Sequence, residues 1–149
     1  MSKPTRFTSL CVPPTNFTAS FTADEKQSGR VLTLNAAAGL TVTLPAATGT
    51  GNHFRFFIGT TVTSNSIVIQ VASSTDTMAG LAVVAQDAAD TLVGWETAAD
   101  TDTITFNGTT TGGILGDMVE LIDVESAVWY VKILGSATGV EATPFSAAV

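Results

Sequence analysis

The 149-residue chain is poor in most of the residues that carry chemistry. Its single cysteine, Cys11, rules out a disulfide within the chain. With no His or Lys beside it to lower the thiol pKa, Cys11 reads as a small buried hydrophobe. His53 is the only histidine, and no nucleophile-elbow pattern occurs, so the Ser-His-Asp and Cys-His arrangements lack their parts. One His and one Cys are too few ligands for zinc. No G-x-x-x-x-G-K loop is present, and the Gly49–Gly51 stretch leads into a strand pattern, not a helix that would cradle phosphate. No cofactor or metal is therefore expected. Charge is scarce too. Only 13% of residues are Asp, Glu, Lys or Arg, about half the usual share. Six basic residues against thirteen acidic ones leave a net charge of -7. A nucleic-acid or anionic-membrane surface needs a basic patch that this chain cannot assemble. No apolar run approaches the roughly 18 residues of a membrane span. Met-Ser-Lys-Pro-Thr-Arg is not followed by the apolar core of a signal peptide, so residence in a reducing cytoplasm, or in something assembled there, is expected.

Thr, Ser, Ala and Gly fill the space that charge leaves. Thr suits strands, and a charge-depleted surface suits contact with other protein. The organising stretch is Gly29 to Val71. Leu40, Val42 and Leu44 alternate with Thr41 and Thr43. Phe54, Phe56 and Ile58 then alternate with His53, Arg55 and Phe57, and Ile67, Ile69 and Val71 alternate with Ser66, Val68 and Gln70. Side chains alternate faces along a strand, so period two with one apolar set marks a sheet with one buried face.

Residues 1–15, with Lys3, Arg6, Pro13 and Pro14 and no periodicity, read as an extended N-terminal arm. Asn16 to Thr22 reads as one strand with Phe17, Ala19 and Phe21 on a face, followed by a polar turn and a strand over Val31 to Leu34. Pro45 ends the strand at Leu40 to Leu44 because proline cannot donate to a ladder. Met78 to Val84 fits either a strand or a wide loop, and only Ala82 to Ala89 could briefly support a helix. Asp87, Asp90, Glu96, Asp100 and Asp102 around Trp95 read as an irregular, solvated loop with a short strand at Thr91 to Trp95. Their spacing does not match an EF-hand loop. Thr103 to Asn107 is a further strand. Asp117 to Val124 and Ala127 to Leu134 read as a β-hairpin turning at Glu125-Ser126. Bulk on both faces of its second member predicts a central strand, covered on both sides or buried at a subunit contact. Gly135 to Val149 reads as a small-residue tail. Turn signals near every ten residues predict about eight to ten strands in a sandwich or barrel.

The run LTVTLPAATGTGNHFRFFIGTTVTSNSIVIQV, followed by Met-Ala-Gly at Met78, resembles small β-rich structural proteins of tailed bacteriophages, in particular head decoration (cement) proteins. The resemblance covers about a third of the chain and is one of composition and cadence; similar phrases occur in phage fibre and tail modules. It implies a jelly-roll or related β-sandwich that binds the outside of an icosahedral shell and joins neighbouring capsomers. Such proteins work by surface complementarity, so no functional residue carries over. The combined expectation is an all-β, antiparallel, jelly-roll-like β-sandwich: an arm over 1–15, then one domain over 16–149 with a short C-terminal tail. It would be a non-enzymatic cement protein on the outer capsid surface, partnered by the major capsid protein and by copies of itself as a dimer or trimer. Lys3, Arg6, Phe7, Leu10, Val12 and Phe145 are the candidate contact residues, although the apolar ones could equally close the protein's own core. The rival expectation is a tail or fibre module that binds a host receptor, or a glycan through the loop around Trp95. A small hydrolase is disfavoured by the missing His-based dyad.

Overall fold

The computed structural model describes residues 12–149. Among them are twelve strands, one 3-10 turn at Glu25–Gln27 and no α-helix. The strands are β1 (Thr15–Phe17), β2 (Phe21–Thr22), β3 (Val31–Leu34), β4 (Leu40–Thr43), β5 (His53–Ile58), β6 (Ile67–Gln70), β7 (Thr77–Gln86), β8 (Leu92–Glu96), β9 (Thr103–Phe106), β10 (Met118–Glu125), β11 (Val128–Ala137) and β12 (Phe145–Ser146). A large sheet runs β1-β3-β5-β10-β11-β7-β8, and a small one runs β12-β9-β6-β4-β2.

The alternation read from Gly29 to Val71 is realised residue by residue. Leu32, Leu34, Val42, Phe54, Phe56, Ile58, Ile67 and Ile69 are buried while their neighbours along each strand are partly exposed. Side chains of both sheets meet in one core cluster, with Trp129, Phe54 and Phe106 among its largest members. The Phe54 and Trp129 rings lie 5.8 Å apart, so an aromatic contact bridges β5 and β11 across the strand between them.

The antiparallel expectation is corrected. Five of the ten strand pairings are parallel: β1 with β3, β3 with β5, β2 with β4, β4 with β6, and β7 with β11. The first six strands alternate between the sheets, each return lying beside its predecessor in the same direction. The chain thus winds as a two-sheet coil of three turns before β9 and β10 close it with antiparallel partners. Period-two patterning states which face is buried and is silent on strand direction, because parallel and antiparallel neighbours can bury the same face.

Other boundaries also move. The single strand expected from Asn16 to Thr22 is two, in different sheets, and the bend between them stacks the Phe17 ring on Phe21 with centroids 3.7 Å apart. β1 already begins at Thr15. Met78 to Val84 is strand, within β7, and so is most of the stretch considered for a helix. The hairpin forms as expected, with Ala127 at φ 64° in its turn and a bulge between Asp123 and Glu125. The tail contains order: β11 continues to Ala137 and β12 pairs with β9.

Candidate functional site

The outward face of the large sheet combines exposed apolar side chains with a cluster of charged ones. Ladder register places Phe57, Met118 and Leu134 side by side, then Arg55, Glu120 and Lys132, then His53, Ile122 and Tyr130. Parallel pairing with β7 extends the first two rows to Val83 and Leu81. The inward neighbours of these residues, Val119, Leu121, Trp129, Val131 and Ile133, fill the core, so alternation forces the first set out. Leu134 is 63% exposed, Leu81 52% and Tyr130 39%. β11 is central, as expected, and among the described residues its outward side chains Tyr130, Lys132 and Leu134 are exposed.

His53, Arg55, Glu120 and Lys132 group on β5, β10 and β11, and Glu96 lies opposite Leu81 at the β8 edge of the same face. Glu120 takes His53 Nε2 on Oε1 at 2.7 Å and Lys132 Nζ on Oε2. The Lys132 ammonium is the main reason that the Glu120 carboxyl lies below its ordinary value; burial opposes this and the bond from His53 reinforces it. The same contact raises the Lys132 pKa. Arg55, Met118, Glu120, Lys132 and Leu134 line a shallow depression of about 300 Å³. With its carboxylate already held from two sides, the cluster presents a fixed pattern of charge beside the apolar row of Phe57, Met118, Leu134 and Val83. Such pairs in solvent contribute more to orientation and specificity than to stability.

The acidic residues with the most distinctive surroundings are structural. Asp123 accepts from the Thr48, Gly49 and Thr50 amides and from the Thr50 hydroxyl. Asp117 accepts from the Gly113, Ile114 and Ser136 amides and from the Ser136 hydroxyl. Asp102, placed by sequence in a solvated loop, is 4% exposed and accepts from Thr103 Oγ1 and the Ala148 amide. That corrects the reading for Asp102 alone, whose oxygens are turned to this chain's own C-terminal backbone; Asp87, Asp90, Glu96 and Asp100 are exposed as expected, and the short strand forms as β8. Among the described residues, no three His, Cys, Asp or Glu side chains group as a metal site.

Lys3, Arg6, Phe7, Leu10 and Cys11 lie outside the described residues. Val12 is exposed just ahead of β1, whereas Phe145 is 8% exposed and belongs to the core cluster. Phe145 thus takes the second of its two expected roles, closing this chain's own core. The Trp95 side chain lies on β8, partly exposed and packed against that core. The rows on the large sheet were partly legible in sequence, through the outward set His53, Arg55 and Phe57. Their continuation onto β10 and β11 depends on register that only the fold supplies. No family model, curated protein or solved structure matches this chain.

Proposed function

We propose that this chain is a non-enzymatic virion structural protein, a decoration or cement protein of a tailed-phage head. It binds the outer surface of the shell and bridges neighbouring subunits of the major capsid protein, with the two sheets as the layers of a β-sandwich. The observation that carries this reading is the outward face of the large sheet, where an apolar row from four strands borders one fixed charge cluster. Contiguous exposed apolar surface of that kind marks a contact with other protein. Individual contacts can be weak, because many copies on one shell add up as multivalent binding, and a dimer or trimer on a capsid symmetry axis would use this. The jelly-roll likeness in this reading concerns two layers around a core rather than the order of strands.

The test is cryo-electron microscopy of intact particles beside particles lacking the protein. Ordered copies tiling the head, with heads that rupture more readily in their absence, are the expected result. Density confined to the tail, or heads equally robust without the protein, would replace this reading with a receptor-binding tail or fibre module.

A further inference from the structure

The large sheet ends in β8, which has β7 on one side and, among the described residues, no strand on the other. The bonds that bracket the β7–β8 pair fix which backbone groups remain. Gln86 N–H donates to the Thr91 carbonyl and Thr97 N–H donates to the Gly80 carbonyl, so Thr91 and Thr97 both face β7. By alternation Val93 and Trp95 do too, which leaves the N–H and C=O groups of Leu92, Gly94 and Glu96 pointing out of the sheet edge. An edge strand of this length, with Leu92 70% exposed, is a template for another strand.

We propose that the occupant is β8 of a second copy, paired antiparallel about a twofold axis through Gly94. That register sets Leu92 opposite Glu96 twice and Gly94 opposite itself, so all three outward-facing positions enter hydrogen-bonded pairs. On the other face, Val93 lies opposite Trp95, an aromatic and β-branched pairing that sheets favour. The alternatives are poorer. An axis at Val93 or Trp95 keeps only two of the three bonded pairs within β8, and an axis at Glu96 sets two carboxylates directly opposite each other. A Cβ at Gly94 would meet nothing closer than the Ala82 carbonyl oxygen at 3.7 Å, so the fold itself does not demand glycine there. At a self-paired position, glycine removes the contact between two identical side chains. The product is one sheet continuous across two molecules, an isologous dimer that stands whether or not the protein coats a capsid.

Sedimentation equilibrium on the purified full chain tests this with two charges at one exposed site. Leu92→Glu places a carboxylate opposite Glu96 of the other copy at both ends of the pairing, whereas Leu92→Lys places an ammonium there. The expected result is a dimeric native protein, a dimeric Leu92→Lys variant, and at least about a tenfold weaker dimer for Leu92→Glu, restored by adding Glu96→Lys. A native protein that is monomeric or trimeric overturns the proposal. So does equal weakening by both charges, which would mean an apolar contact without this register. A dimer that survives Leu92→Glu but is lost on removing residues 1–11 would assign the contact to the N-terminal segment instead.

Discussion

Asp123, at the inner end of β10, gathers three consecutive amides and a hydroxyl from the loop that carries the chain from the small sheet to the large one. Burial raises its pKa, but the bonds from Thr50, Gly49 and Thr48 outweigh this and hold it below the ordinary value. Asp102 is held down similarly, against burial, by bonds from Ala148, Thr103 and Val149. Truncating the buried Asp123 would remove the acceptor that holds several part-buried loop donors together, and Asp123→Ala should cost about 2 kcal/mol in urea denaturation. Acid dependence follows from the same geometry. For Asp102 and Asp123 the folded pKa lies below the reference value of 3.8, so their stabilisation is complete above that pH and is lost as pH falls through the folded values. Asp117 has the opposite sign: burial, the largest influence, raises its pKa above 3.8 despite its four bonds. Its protonation therefore favours the fold, and stability from this group rises as pH falls through the raised value toward 3.8. Melting temperature against pH should show a rise on acidification before the acid loss. Asp117→Asn, though less stable throughout, should lack that rise. None of these roles was visible in sequence, where Asp102 reads as solvated and Asp117 and Asp123 read only as positions in the first strand of the hairpin.

At the scale of elements, the parallel pair β7–β11 joins the C-terminal hairpin to the rest of the sheet over ten residues a side. Gly80 makes that approach possible. A Cβ there would sit 1.8 Å from the Val131 carbonyl oxygen, a backbone atom that cannot swing aside. Gly80→Ala should therefore destabilise by about 2 kcal/mol or more, read from the denaturation midpoint. Strands were the legible elements. β3, β4, β5, β6, β9 and the hairpin stand within a few residues of the alternation that marks them. β1 and β2 were merged because Phe17, Ala19 and Phe21 keep the phase across a bend. β7 was ambiguous because Ala79, Gly80, Ala82 and Ala85 weaken its pattern.

At the scale of the molecule, a chain with net charge -7 and 13% charged residues offers protein partners a surface with little charge to desolvate. If the outer rows of the large sheet are the capsid contact, Leu134→Glu should weaken co-sedimentation with undecorated heads by about tenfold or more while leaving the melting temperature nearly unchanged. Leu134 lies on β11, two strands in from the β8 edge, so this variant should retain the native oligomeric state. On these two proposals, the capsid contact and the copy-to-copy contact would be separable by mutation.

The sequence by itself determined that the chain is all β, which face of most strands is buried, and where prolines and turn residues interrupt it, because period-two burial is a local property of each strand. The tertiary structure alone decided strand direction, the three-turn coil, the rows across the large sheet and the burial of Asp102, Asp117 and Asp123. Each depends on which distant strand or loop arrives alongside. Loop amides that solvate a carboxylate, or a ladder that sets Glu120 between Arg55 and Lys132, come from segments whose separation along the chain carries no pattern of its own.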